Sequence, residues 1–203
     1  MSIQAPHLFQ RLVREERGAA AAEFGLVCLV FVSMLLAVID MGRLAWTINA
    51  AKAATREGVR LAVVSPMVSS AMAGYDGLSQ GIAGGGSVPS SPPVVLSCSG
   101  ASSSCTQTSG STIPGSGFDS TTFAAVLAKM QAYDPDITAA NVVITYRHVG
   151  LGKVGNPYAP DMEPLVTVSL TGMTFQSAAL QVVGVTPFAL PDMASTLSGE
   201  SLS

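Results

Sequence analysis

From Ala19 to Ile39 the chain reads AAAAEFGLVCLVFVSMLLAVI, 21 residues with one charge, Glu23. As a helix rising about 1.5 Å per residue it reaches roughly 32 Å, close to the ~30 Å hydrocarbon core of a bilayer. A large soluble protein could bury such a helix, but the rest of this chain offers no core large enough to surround it. A cleaved secretory signal carries a basic stretch, a short apolar run and a small-residue cleavage site. The basic part is present in Arg11, Arg14 and Arg17. The segment from Val38 to Arg43 has no A-x-A-like site, and the helical pattern runs straight on through it. The segment therefore reads as a retained anchor, residues 19–39.

The charge distribution agrees. Only 11% of the 203 residues are charged, against about 25% in an average soluble domain. A net charge of −3 excludes broad electrostatic attraction to nucleic acid as a default. Residues 61–203 hold three basic groups (Lys129, Arg147, Lys153) and eight acidic ones. The other basic groups gather at the two ends of the apolar stretch.

The spacing predicts that the helix continues to about Val64. Met41, Leu44, Ile48, Ala51, Thr55, Gly58 and Ala62 recur at alternating steps of three and four, the seam of a helix packed on a neighbour. Lys52, Arg56 and Arg60 follow at four-residue steps beside that seam, and Pro66 marks a stop. Residues 40–64 thus form an amphipathic extension. Its partner is either the chain's own domain or another subunit, and the spacing fits both.

The junction Arg17-Gly18-Ala19-Ala20-Ala21-Ala22-Glu23-Phe24 is the most informative stretch. A carboxylate inside a membrane costs roughly 2–4 kcal/mol at depth and less near the interface, so it calls for compensation. A cut after Gly18 would create an ammonium at Ala19, a natural partner in the same chain or a neighbour. A helix N-terminus favours a negative charge as well.

GAAAAEF resembles the type IV prepilin pattern, a Gly followed by five residues ending in Glu and then an aromatic. The longer run over residues 14–64 resembles the TadE-like family, pseudopilins of tight-adherence (Flp) pilus systems. The matching features are Arg17-Gly18, the Ala run, Glu23-Phe24, the apolar span, Asp40-Met41-Gly42-Arg43, and Thr55-Arg56-Glu57-Gly58-Val59-Arg60. The last two stand for the family's E/D-x-G-R and A-R-E-G-A-R stretches, with Thr55 and Val59 where Ala is commoner. The resemblance implies a cytoplasmic leader over residues 1–18 and cleavage between Gly18 and Ala19 by a prepilin peptidase. It makes Glu23 the fifth residue of the mature chain and gives Glu23 and Phe24 a part in assembly. It also implies inner-membrane insertion, N-terminus cytoplasmic, and other pilus subunits as partners. The basic residues flanking the span do not decide the orientation: Arg11, Arg14 and Arg17 precede it, and Arg43, Lys52, Arg56 and Arg60 follow.

Residues 65–118 are rich in Ser, Gly and Pro and read as mostly loop, with a short strand at Val94–Ser97. Gly84-Gly85-Gly86 lacks the following Lys-Ser/Thr of a phosphate loop. Cys98 and Cys105 enclose SGASSS. They are not C-x-x-C, and no second pair completes a zinc site. In an oxidising compartment they can close a small loop; otherwise they are two free thiols. Cys28, in the apolar span, reads as a small apolar residue.

Residues 119–203 read as a small extracytoplasmic α+β domain. Asp119 caps a helix to Ala132, with Phe123, Val126, Leu127 and Met130 on one face. Asn141–His148 and Leu165–Thr171 alternate as two antiparallel strands joined by a turn-rich link. Residues 174–190 read as a loop or short helix, and Met193–Leu197 as a last strand. The expected fold class is α+β: a long N-terminal transmembrane helix, then a small antiparallel sheet with one packed helix.

No catalytic set is visible. His148 ends a strand, and Asp134 and Asp136 flank Pro135 as turn and cap residues. No G-x-S-x-G elbow or calcium loop is present. The chain is not expected to be an enzyme, and no metal, cofactor or nucleic acid is expected. Two classes remain: a pseudopilin or minor pilin acting in pilus assembly, and a single-pass anchored extracytoplasmic binding module.

Overall fold

A computed structural model of the 203-residue chain describes residues 16–113, 117–158, 160–178, 181 and 186–198. Most of the leader, residues 1–15, and the C-terminal residues 199–203 lie outside them. The chain divides into two compact units. One comprises Met1–Ala45 and Gln176–Pro187, the other Trp46–Phe175 and Phe188–Ser203.

Helix α1 runs unbroken over Glu16–Val64, 49 residues. No proline interrupts this sequence, and Ala, Leu and Met supply helix propensity. It ends as the notable absence of proline ends: Ser65 N–H still reaches the Leu61 carbonyl at 3.0 Å, and Pro66 follows. Over residues 24–35 its large apolar side chains are exposed. Phe24 is 74% exposed, and Leu29 and Met34 are similarly open.

The second unit is a five-stranded antiparallel sheet with helices on one face. The strands are β1 (Val95–Ser99), β2 (Ser104–Ser109), β3 (Val142–His148), β4 (Pro164–Leu170) and the last, β7 (Met193–Ser198), in the order β2-β1-β3-β4-β7. Between β4 and β7 a two-stranded ribbon pairs β5 (Thr174–Phe175) with β6 (Phe188–Ala189). A four-residue helix α2 (Ser70–Ala73) precedes the sheet, and α3 (Ser120–Gln131) lies between β2 and β3.

Alternation along the strands selects the core. Leu96, Cys98, Val142, Ile144, Tyr146, Val166, Val168 and Leu170 are buried. The opposite face carries hydroxyls, with Ser97 against Thr145 at 3.1 Å and Thr167 against Thr196 at 2.8 Å. Helix α3 packs Phe123, Val126 and Met130 inward. Its N-cap Asp119 accepts from the Thr121 and Thr122 amides and, at 2.8 Å, from the Thr122 hydroxyl. The Thr122 hydroxyl and those amides hold the Asp119 carboxyl below its ordinary range.

The α+β class, the long helix and the antiparallel β3–β4 pair, in register from Val142↔Leu170 to His148↔Pro164, are as the sequence indicates. One reading is extended and one corrected. Residues 65–118 are mostly loop, and the short strand read there is β1; the sequence reading did not include β2 or α2, nor place β1 inside the sheet between β2 and β3. Serine and threonine at the outward positions of β1 and β2 mimic loop composition, and the few inward positions (Leu96, Cys98, Cys105) gain their apolar neighbours only through tertiary pairing. In 174–190, the ends of the segment pair as β5 and β6, with the Phe175 and Phe188 rings 5.5 Å apart. Residues 179–180 and 182–185 of that stretch lie outside the described residues.

Candidate functional site

Gly18, Ala19, Glu23 and Phe24 all lie on α1 and are all exposed. A Cβ built on Gly18 would meet nothing within 4 Å, and the same holds for Gly25 and Gly42. The fold therefore places no steric demand for glycine at position 18. Ala19 and Glu23 stand four residues apart, one turn along the same helix face. A chain beginning at Ala19 would carry its ammonium within about 6 Å of axial rise from the Glu23 carboxylate.

At the far end of the apolar run, Asp40 is nearly buried. Its Oδ1 accepts from Arg43 Nη1 at 3.2 Å and from the Ala178 amide at 3.0 Å, and its Oδ2 accepts from the Ser177 hydroxyl. The Gln181 N–H in turn donates to the Ser177 carbonyl at 3.1 Å. The Asp40-Met41-Gly42-Arg43 stretch thus uses its acid to hold the chain at Ser177 and Ala178. Sequence reasoning missed this role, because Ser177 lies 137 residues away. The available signal was an acid closing a span whose one other charge is Glu23.

The Thr55–Arg60 stretch divides between two sides of the helix. Thr55 is buried, donating from Oγ1 to the Lys52 carbonyl at 3.0 Å and lying 3.2 Å from Ser195 Oγ of β7. A Cβ at Gly58 would sit 2.8 Å from Met130 Cγ of α3 and 3.5 Å from Val168 of β4. On the outer side Arg60 pairs with Glu57 at 3.0 Å, while Arg56 and Lys52 are exposed. Of the two partners left open by the spacing, the chain's own sheet and α3 occupy the seam at Ala51, Thr55, Gly58 and Ala62. Met41 departs from the seam and is exposed.

Cys98 and Cys105 face each other across the β1–β2 hairpin and are joined in a disulfide. Both are buried, and Cys28 is free and exposed on α1.

The other polar residues of the domain hold structure. His148 is fully buried, with Nε2 3.2 Å from the Val88 carbonyl oxygen. Asp134 Oδ1 accepts from the Asp136 amide at 3.1 Å across Pro135, and burial raises its carboxyl above the ordinary range. Asp161 joins two loops by accepting from the Gly77 amide at 2.7 Å and the Gly155 amide at 2.9 Å. The Tyr146 hydroxyl accepts from the Val68 amide at 2.9 Å, and burial pushes its pKa up to about 12. A cleft of roughly 250 Å³ beside it is lined by residues including Ala62, Pro66, Tyr146, Glu163 and Val166. Among the described residues no three His, Cys, Asp or Glu side chains gather as a metal site.

Comparison with curated proteins and with solved structures gives no match. Comparison with protein families matches the model of the TadE-like protein over residues 18–60, from the glycine of the junction to the last arginine of the packed stretch, so this N-terminal stretch is similar to a TadE-like protein.

Proposed function

We propose that the chain is a membrane-anchored pseudopilin or minor pilin acting in assembly of a tight-adherence (Flp) type IV pilus. A prepilin peptidase cuts between Gly18 and Ala19 on the cytoplasmic face of the inner membrane. Residues 19–39 stay in the bilayer, and the sheet domain lies in the periplasm, a compartment in which a Cys98–Cys105 disulfide persists.

The observation that carries this reading is the junction within the TadE-like stretch. Glycine stands at position 18 where the fold leaves open space, and Glu23 lies one turn beyond Ala19 on an exposed apolar helix. A plain anchor needs neither. Glu23 and Phe24 then serve assembly: the carboxylate is costly in lipid unless paired, so it draws this end of the helix toward the Ala19 ammonium of its own chain or of a neighbour.

Glu23→Gln keeps the shape and removes the charge. Membrane level and processing are expected to stay normal, because the cut lies at Gly18, while association with other subunits and the number of pili fall. Normal piliation at wild-type protein level would overturn the assembly role. A mature chain whose mass retains residues 1–18 would overturn processing and leave a single-pass anchored binding module.

A further inference from the structure

We infer that Trp46 of one copy of this chain inserts into the cleft between the end of α1 and the start of β4 on a second copy. This rests on the reading of the chain as a subunit that packs against other subunits, and it names one of them as a staggered copy of itself.

Knob and cleft belong to the same compact unit. Trp46 is 76% exposed, whereas Ala51 and Ala54, just beyond it on the helix, are completely buried. No described residue bonds its indole N–H. The cleft holds roughly 250 Å³. A dry cavity of about 150 Å³ accepts one benzene ring, so this one suits the two fused rings of an indole. Val63, Pro66, Pro164 and Val166 give it apolar, stiff walls, and Glu163 is its one charge. Glu163 is half-buried, and the fold uses its backbone N–H, which donates to the Leu151 carbonyl at 3.1 Å. No described residue bonds its carboxylate. An apolar wall with one waiting acceptor suits an aromatic side chain that carries one donor, which is what tryptophan is.

The two features cannot meet within one chain. From Trp46 to Ala62, on the helix side of the cleft, α1 rises about 24 Å and turns by about 160°. Trp46 and Ala62 therefore lie on nearly opposite sides of the helix. A copy shifted along the axis by that rise, without rotation, brings its Trp46 level with the cleft of its neighbour. Such a contact is heterologous: each copy gives its knob to one neighbour and its cleft to another, and repeated shifts run on without closing, as a fibre requires. Copies side by side at one height do not make it.

Trp46 is the only tryptophan of the chain, so its fluorescence reports this contact alone. The full chain is concentrated in a non-ionic detergent held at constant level, and iodide quenching of Trp46 is read beside chemical cross-linking of copies. Quenching is expected to fall several-fold as copies associate. Ala73→Phe, at an exposed position of the cleft lining, fills the cleft and should abolish that protection. Glu163→Lys sets a donor against the indole N–H and should weaken it several-fold, which keeps the test decisive should Ala73→Phe fail to fold. Mixing Ala73→Phe, which keeps the knob, with Trp46→Ala, which keeps the cleft and does not fluoresce, should restore protection. Association with unchanged quenching would overturn the inference and leave the subunit reading standing, as would protection that both cleft variants leave intact. Protection already complete in dilute, uncross-linked protein would overturn it in favour of a tryptophan seated in detergent or lipid. Absence of any association would overturn the subunit reading, and the inference with it.

Discussion

Two stretches of one helix solve opposite problems with apolar residues. Residues 24–39 use Phe, Leu, Val and Met, and those side chains are exposed except for the half-buried Leu36. Residues 51–62 use Ala, Thr and Gly on the inward side, and Ala51 and Ala54 are completely buried. Bulk and hydropathy thus do not predict burial within the protein. A face turned to lipid gains from large side chains, whereas a helix laid on a sheet and a second helix must be thin at the contact. Gly58 shows the limit, since any Cβ there meets Met130 at 2.8 Å, while Gly18, Gly25 and Gly42 have empty space around them. Glycine in the first stretch is free of packing demands, and glycine in the second is required by them.

The sharpest way to break this comparison is to exchange its glycines. Gly18→Leu is expected to abolish cleavage, because only glycine lacks the Cβ that a narrow peptidase site would exclude, while leaving the thermal midpoint of the full chain unchanged. A chain still starting at Ala19, detected by mass, would separate Gly18 from processing. Opening the Cys98–Cys105 bond by the double Ser substitution should cost about 2–3 kcal/mol of sheet-domain stability on the chain-entropy model. Anchoring, read by membrane fractionation, should be unaffected. Gly58→Leu should destabilise by about 1–3 kcal/mol through overpacking, whereas Gly25→Leu should not, and equal denaturation midpoints for the two would erase the distinction.

Tyr146 offers a pH test confined to the packed unit. Its pKa in the fold is pushed up to about 12 from an ordinary 10.0. The unfolded chain therefore loses this proton first, and stability present below pH 10 drains away as pH rises toward 12. The full loss is about 2–3 kcal/mol. Tyr146→Phe should flatten that slope in alkaline unfolding curves, at a constant cost of about 1 kcal/mol or more from the unpaired Val68 amide. The smallest effect is expected from Glu57→Gln. Its bond to Arg60 is on the exposed side of the helix, worth a few tenths of a kcal/mol, and piliation should change less than with Glu23→Gln.

Local patterns made much of this molecule legible in advance. The long apolar helix follows from the length of a run with a single charge, the α3 boundary from Asp119, and β3 and β4 from strict alternation, because each depends on neighbours within one turn or one strand. The Gly18–Glu23 motif is local for the same reason: its residues lie within six positions, at the start of the stretch that matches the TadE-like family model. The long-range partners were not. Nothing near Asp40 announces Ser177, nothing near Thr55 announces Ser195, and the spacing of Gly58 could not choose between a second subunit and Met130 of its own chain. Serine- and threonine-rich β2 looks like loop until β1, itself legible as a short strand, supplies its hydrogen bonds. Periodicity states that a face will be covered, and only the path of the chain in space decides by what.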